Sequence, residues 1–539
     1  MFLVKKSDGG VRPIFDLRGL NRYVITKPFH LISHASVPDF LQPADWLVKL
    51  DISQAYLHVP IAQAHQRFLC VSYLGEILQM TALPFGLSSA PRLFAGITCW
   101  VAETLRKRGC RVLVYLDDFL LAHQDRTALS IQASEAVELL GSLGWKVNLN
   151  KSILTPTQSV EYLGILWETR SNRMGLTRQK EETIVQLLQK LGSRRTCKLR
   201  ELQRLLGLLN FACFVVPRGR LHCRHLQIFS RTFRKDTRHM RDIPGLALKA
   251  IQWWLGAIHQ ATVPMHLPPV QHFLSTDASG TGWGAHLDRL TLAGTWNNRQ
   301  RFWHSNKKEM FAVLSAIKAQ GHTLKNSHVL LQTDNQTLIA YIRKEGGTRS
   351  IGLLNLTFQL LAMVDRWNIM LSAQYLPGRY NTIADRLSRS QPLPEWHLLP
   401  SATSEVFSLW GKPDIDLFAS KRSAVVARYV SIDPADRGAS FIDAFSQNWD
   451  YDLAWIFPPP NLIPRVLTHL NSARGTYLLV TPDWTQPFWR ADLQSRTTED
   501  PHKIQRLEEV LIDLTTGRTP PMVGKLALRI WKVGGGARR

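Results

Sequence analysis

The stretch Arg111-Val112-Leu113-Val114-Tyr115-Leu116-Asp117-Asp118-Phe119-Leu120-Leu121 sets two adjacent carboxylates between two apolar, β-prone runs. The pattern predicts a hairpin with Asp117 and Asp118 at its tip. Alone, such a pair is an ordinary turn former. A third carboxylate changes the reading. Trp46-Leu47-Val48-Lys49-Leu50-Asp51 is another apolar run ending in Asp, upstream of a tight Pro-Phe-Gly turn at 84–86. Three carboxylates from two strands suit a pair of Mg²⁺ ions, which take hard oxygen ligands and bridge substrate phosphates. Two metals about 4 Å apart activate an attacking hydroxyl and stabilise the leaving group of an in-line displacement.

These residues resemble the motifs of reverse transcriptases. Tyr115-Leu116-Asp117-Asp118 is similar to the family's YxDD box, and Leu50-Asp51-Ile52-Ser53-Gln54-Ala55-Tyr56 to its first metal motif. Leu83-Pro84-Phe85-Gly86-Leu87-Ser88-Ser89-Ala90-Pro91 resembles its template- and nucleotide-positioning motif. The resemblance implies that Asp51, Asp117 and Asp118 are catalytic metal ligands and that Gly86 contacts the dNTP. It also implies that Tyr56 lies under the sugar and excludes a 2′-hydroxyl; filling core beside the strand is the plain alternative. Gln54 stands where many retroviral relatives carry a second acid, so no fourth carboxylate is expected. Phe85 before Gly86 is more like retrotransposon enzymes than retroviral ones.

The balance of 66 Lys+Arg against 42 Asp+Glu gives a net charge of +24, which favours a polyanionic partner without specifying an enzyme. No apolar run reaches the ~20 residues of a membrane span, and the N-terminus has no signal-peptide core. Cysteines 70, 99, 110, 197, 213 and 223 form no CxxC pair and no zinc-like spacing, which fits a reducing cytoplasm or nucleus.

The chain opens on Val4-Lys5-Lys6-Ser7-Asp8-Gly9-Gly10-Val11-Arg12-Pro13-Ile14, a hairpin pattern turning at Asp-Gly-Gly. Lys and Arg there serve as solvated edge protection or, by resemblance to the basic fingers hairpin of reverse transcriptases, as triphosphate ligands Lys6 and Arg12. The family usually carries more fingers sequence before this point, so either a fragment or a truncated gene model is expected. Leu143-Gly144-Trp145-Lys146-Val147-Asn148, Lys151 and Tyr162-Leu163-Gly164 resemble the remaining palm motifs, with Lys151 either protonating the leaving pyrophosphate or simply solvated. Residues 178–241 then hold sixteen Lys/Arg against four Asp/Glu. Leu187, Leu188, Leu191, Leu202, Leu205, Leu206 and Leu209 recur there at helical spacing. Basic helices with an apolar stripe suit a thumb tracking a duplex backbone; a membrane-surface or calmodulin-type helix competes.

A second acidic set follows. His272-Phe273-Leu274-Ser275-Thr276-Asp277 reads as a strand, Asn306-Lys307-Lys308-Glu309 opens a helix, His328-Val329-Leu330-Leu331-Gln332-Thr333-Asp334 is another strand, and Asn381-Thr382-Ile383-Ala384-Asp385 starts a last helix. Singly, Glu309, Asp334 and Asp385 have capping work available. Together, Asp277, Glu309, Asp334 and Asp385 resemble the D-E-D-D set of retroelement ribonuclease H, implying a second two-metal site that activates water against a phosphodiester.

Beyond prolines 392, 394 and 400, the runs Pro413-Asp414-Ile415-Asp416-Leu417-Phe418, Phe457-Pro458-Pro459-Pro460 and Tyr477-Leu478-Leu479-Val480 indicate a third globular part. It resembles the domain after ribonuclease H in DIRS-like retrotransposons, itself similar to DNA adenine methyltransferases. Phe457 replaces the polar residue that would hold a target amine, and no glycine-rich cofactor loop precedes it, so this part reads as degenerate.

The expected architecture is multidomain, α+β and α/β. It comprises a right-hand polymerase with fingers remnant and palm (1–170) and basic helical thumb (171–245), then an RNase H-like domain (265–390), a linker (391–412) and a degenerate methyltransferase-like α/β domain (413–539). The resemblance implies the RNA-directed DNA polymerase and ribonuclease H of a DIRS-like retrotransposon. Its cofactor is Mg²⁺, two per site, with Mn²⁺ as substitute; its partners are RNA template, DNA primer, RNA–DNA hybrid and dNTPs, with no membrane. An LTR retrotransposon polymerase and a catalytically inactive, domesticated nucleic-acid-binding protein remain as alternatives.

Overall fold

The computed structural model describes residues 2–5, 11–73, 75–233, 239–391 and 393–537. It divides into two compact units, Met1–Leu267 and Pro268–Arg539. Among the described residues no helix is long and apolar enough to cross a membrane.

The first unit opens with β1 (Phe2–Lys5) paired antiparallel to β2 (Val11–Ile14), Val4 opposite Arg12. Lys6 lies outside the described residues. The expected catalytic hairpin is present as β4 (Arg111–Tyr115) and β5 (Asp118–His123), and β3 (Trp46–Asp51) lies beside β5. Strand β6 (Ile153–Thr157) completes a four-stranded sheet in the order β4-β5-β3-β6. Strand alternation sends Val48, Leu50, Val112, Phe119 and Leu121 to one core, shared with buried residues of α1 (Ala90–Lys107) and α2 (Arg126–Ser142). Leu47, Leu120 and Ala122 go to another core. Asp51 and Asp118 follow the parity of this second set.

That second core continues through a sheet of β7 (Ser159–Tyr162), β8 (Ile165–Glu168), β9 (Arg173–Leu176) and β10 (Thr262–Pro264). Helices α3 (Arg178–Arg194), α4 (Leu199–Ala212), α5 (Gly219–Arg231) and α6 (Gly245–Ala257) pack into it. Leu188, Leu191, Leu202, Leu205 and Leu209 are buried, as their helical spacing predicts. The expected thumb boundaries, 171 and 245, mark no break in this core. β9 hydrogen-bonds to β8 across the first boundary, and α6 adds buried Ala250, Ile251 and Trp254 beyond the second.

In the second unit, β11 (His272–Ala278), β12 (Gly282–Leu287) and β13 (Leu290–Thr295) form an antiparallel meander. Parallel β14 (His328–Thr333) and β15 (Met370–Tyr375) extend it to the order β13-β12-β11-β14-β15. α7 (Ser305–Gln320), α8 (Gln336–Arg343) and α9 (Ile351–Arg366) supply buried residues to its core, and the short α10 (Thr382–Ser388) lies on β12.

The C-terminal part does not begin after a linker. Residues 391–412 carry β16 (Trp396–Leu398) and α11 (Pro400–Trp410), whose Leu398, Ala402 and Val406 are buried. Pro400 acts as a helix starter, because a first-turn residue has no N–H bond to lose. A five-stranded sheet follows. Parallel β17 (Ile415–Asp416), β18 (Asp450–Ile456) and β19 (Arg474–Pro482) pair in that order. β21 (Leu528–Gly534) then runs antiparallel to β19, with a two-residue edge strand, His502–Lys503, beyond it. β20 (Leu511–Asp513) pairs separately with β16.

Candidate active sites

In the first unit, ladder register puts Asp51 directly opposite Asp118. Asp117 occupies the two-residue turn between β4 and β5, preceded by Leu116 in a left-handed backbone (φ 52°). That conformation is costly for a branched side chain, and such strain collects at functional sites. The turn is fixed from below: Ile52 N–H donates to the Asp117 carbonyl at 3.0 Å, and the buried Tyr162 hydroxyl donates to the Asp118 carbonyl at 3.3 Å. Asp51 N–H donates to Ser152 Oγ at 3.0 Å, and the Asp51 carbonyl accepts from Asn148 N–H at 2.7 Å. Burial, then the Asp118 charge, raises the Asp51 carboxyl above the ordinary range, while Lys151 and Lys49 pull it back. Lys49, two residues before Asp51 and on its face, places its ammonium 3.3 Å from Asp118 Oδ1. Sequence reading passed over it, although a lysine inside an apolar run was a visible signal.

Tyr56 sits in the single 3₁₀ turn Ala55–His58, half-buried, its ring 4.9 Å from Phe85 and edge-on to Phe94 at 5.3 Å. Its hydroxyl pKa is raised by burial and then by the Asp117 charge, so ring and acid are neighbours. Gly86 takes φ 99°, and a Cβ there would lie 2.9 Å from the Phe15 carbonyl oxygen, two independent reasons for glycine. Asn21 clamps this turn, donating to the Gly86 carbonyl at 2.9 Å and accepting from Ser88 N–H at 2.8 Å. Arg12 lies on β2, and Lys151 is exposed.

In the second unit, carboxylate oxygens of Asp277, Glu309 and Asp334 lie within 4.8 Å of one another, the one such group among the described residues. Asp277 comes from β11, Glu309 from the second turn of α7 and Asp334 from the residue after β14. None of these acids caps a helix. The N-cap of α7 is His304, whose side chain accepts from Asn306 N–H; that of α8 is Asn335, which accepts from Leu338 N–H. Burial first, then mutual repulsion, raises Glu309 to about 9. Asp277 stands at about 6, raised by burial against a hydrogen bond from Ser388. Asp334 is also raised, burial first. Buried Glu309 Oε2 has no hydrogen-bond partner. Gly378 makes room for Asp334: a Cβ there would stand 2.5 Å from Asp334 Oδ2.

Asp385 stands just outside the trio. Its Oδ1 accepts from Arg389 Nε at 2.9 Å, while Ser388 Oγ on the same helix donates to Asp277 Oδ2 at 2.7 Å. Repulsion from Asp385 contributes to the raised pKa values of Asp277 and Asp334. A cation fits the trio: hard oxygen donors, repulsion to relieve and one buried oxygen lacking a partner. The first site offers the same donor chemistry in a looser arrangement, with Lys49 already beside Asp118.

Comparison with known proteins matches a domain in each compact unit. Residues 4–166 match the family of reverse transcriptases (RNA-dependent DNA polymerases), and residues 268–373 match the RNase H-like domain found in reverse transcriptase. The chain thus carries these two domains in the order of a retroelement polyprotein. It is 26% identical over 276 residues to the Gag-Pol polyprotein of Walleye dermal sarcoma virus, covering 51% of this chain and 15% of that one. To the Transposon Tf2-3 polyprotein of Schizosaccharomyces pombe it is 23% identical over 429 residues, covering 73% of this chain and 29% of the other. A foamy viral protease-reverse transcriptase solved with double-stranded DNA is 19% identical, covers 69% of this chain and 64% of its own, and gives a TM-score of 0.44. The chain therefore spans less than two thirds of the length of these relatives.

Proposed function

We propose that this chain is an RNA-directed DNA polymerase that also degrades the RNA of its own RNA–DNA product. The observation that carries the reading is the presence of two acidic groups, one in each compact unit, inside segments matching reverse transcriptase and RNase H-like domains. Asp51, Asp117 and Asp118 offer oxygens for divalent metal beside the primer terminus. Arg12, with Lys6, grips the triphosphate of the incoming dNTP, and Tyr56 meets its sugar beside the Gly86 turn. Asp277, Glu309, Asp334 and Asp385 serve the hybrid in the same way. Bound divalent metal, Mg²⁺ in pairs with Mn²⁺ as substitute, supplies activation of the attacking hydroxyl or water and neutralises charge at the phosphate. The protein's own part is to hold the acids in register, keep Glu309 protonated until a cation displaces its proton, and shape the nucleotide site.

We further read the element as DIRS-like, acting inside the reducing cytoplasm or nucleus, and its last part as a degenerate methyltransferase-like domain. The parallel β17-β18-β19 order with an antiparallel neighbour supports the latter, as does Phe457 in place of a polar residue.

The test is primer extension and hybrid cleavage by wild type, Asp117→Asn and Asp334→Asn, beside a thermal melt. Asp117→Asn should abolish extension alone and Asp334→Asn cleavage alone, because distant, unshared sites behave independently. A polymerising Asp117→Asn, or either variant losing both activities with an unchanged melt, defeats the two-site reading.

A further inference from the structure

We propose that Asp513, in the C-terminal part of the chain, is a positioning residue for the second acidic site, acting through Arg386 on α10; this rests on the hydrolytic reading of that site. The helix it would hold has seven residues, too few to be stable by itself. Yet α10 brings two groups to the site: Asp385, and Ser388, whose Oγ donates to Asp277. Its placement is therefore set by its anchors.

One anchor is β12. A Cβ at Gly284 would lie 2.3 Å from the Ala384 carbonyl oxygen, so helix and strand touch backbone to backbone. A second is Asn381, whose Nδ2 donates to the Thr276 carbonyl at 2.9 Å, next to Asp277. The third comes from 127 residues away in sequence. Arg386 Nη2 donates to Asp513 Oδ2 in an ion pair whose side chains are 11% and 0% exposed. Asp513 is itself held, because its Oδ1 accepts from the N–H groups of Glu395 and Thr515, each at 3.0 Å. These bonds tie the carboxylate to the β16–β20 pair, where Trp396 faces Asp513. The pair thus joins the residue after Asp385 to a rigid point in the C-terminal part.

A separate observation points the same way. Leu376 and Tyr380 flank Gly378, the glycine that makes room for Asp334, and both are buried in one core with Leu398, Val406, Leu478 and Ile530. The C-terminal part therefore supports the segment behind Asp334 as well as the helix carrying Asp385. Removing one partner of a buried ion pair leaves the other charge uncompensated. Asp513→Asn should therefore weaken the tie between Arg386 and the C-terminal part and let α10 drift, and a displacement of about 1 Å in a catalytic array can lower turnover about 100-fold.

The experiment uses the full chain as wild type, Asp513→Asn and Asp513→Glu, with Mg²⁺ and an RNA–DNA hybrid, and amide hydrogen exchange on the metal-free protein. For Asp513→Asn we expect kcat for hybrid cleavage to fall about 10- to 100-fold, while KM for the hybrid stays within about twofold. Exchange should quicken at residues 382–388, and Asp513→Glu, which keeps the charge, should recover both readouts in part. Unchanged exchange over 382–388 in Asp513→Asn overturns the proposal, whatever the activity. So does faster exchange across the whole second unit, which would mark general destabilisation. A wild-type chain that cleaves no hybrid overturns the hydrolytic reading itself, and with it the role assigned to Asp513; the exchange result separates that failure from a helix that Asp513 never held.

Discussion

At the scale of single residues, the second site is defined by groups held away from their ordinary protonation. Burial raises Asp277 to about 6 and Glu309 to about 9, so the metal-free folded state binds protons that the unfolded chain has released. Stability from this source is complete below the unfolded carboxylate range, near 4, and is lost as pH rises through 6 and then 9. The melting temperature in EDTA should accordingly fall between about pH 5 and 9, and Glu309→Gln should flatten the upper part of that fall; a melt insensitive to pH in wild type counts against the raised carboxyls of Asp277 and Glu309. Tyr56 makes a different prediction. Its half-buried ring packs against Phe85 and Phe94 and neighbours Asp117, which places it beside the proposed nucleotide site as well as in the core. Tyr56→Val should admit ribonucleotides while dNTP use is largely kept, as read by extension with each rNTP. Equal discrimination in both proteins would return Tyr56 to a packing role.

At the scale of elements, two glycines govern how segments approach each other. Gly284 lets α10 rest on β12, with Ala384 O and Leu387 Cβ only 2.3 and 2.5 Å from where a side chain would begin. Gly284→Ala should push α10 away and depress hybrid cleavage, with primer extension retained, since Asp51, Asp117 and Asp118, proposed for extension, lie in the other compact unit. Loss of both activities in this variant would contradict that independence. Gly86→Ala meets both a left-handed φ and the Phe15 carbonyl. Left-handed strain of this kind costs on the order of 1–3 kcal/mol, so a lower melting temperature and weaker dNTP binding are expected together, by calorimetry and by the KM for dNTP.

At the scale of the whole molecule, the C-terminal part joins the ribonuclease H-like domain without a linker and closes over its own strand ends. Ligands of open α/β sheets bind outside the carboxyl ends of the parallel strands. Here Phe418, just past β17, and Leu462, in the turn after β18, pack with Phe273 and Leu330 of the preceding domain, while Asn461 bonds buried His286 at 3.0 Å. With that end covered and Phe457 unable to orient an amine, the full chain should transfer no labelled methyl group from S-adenosylmethionine to DNA; incorporation above background would refute the degenerate reading. What the sequence determined by itself were features set by neighbours along the chain. Alternation around Asp117 and Asp118 specified a hairpin, the leucine period in 178–209 specified buried helix faces, and the acids fell at strand and helix ends because short-range pattern places those ends. Only tertiary structure decided which acids meet. It drew Asp277, Glu309 and Asp334 together, left Asp385 paired with Arg389, set Lys49 against Asp118, and turned an expected proline linker into a strand and a helix that each bury part of their side chains. It also paired Arg386 with Asp513. Such pairings depend on how sheets and helices bring distant segments into contact and on the desolvation that contact imposes, and neither is written in local periodicity.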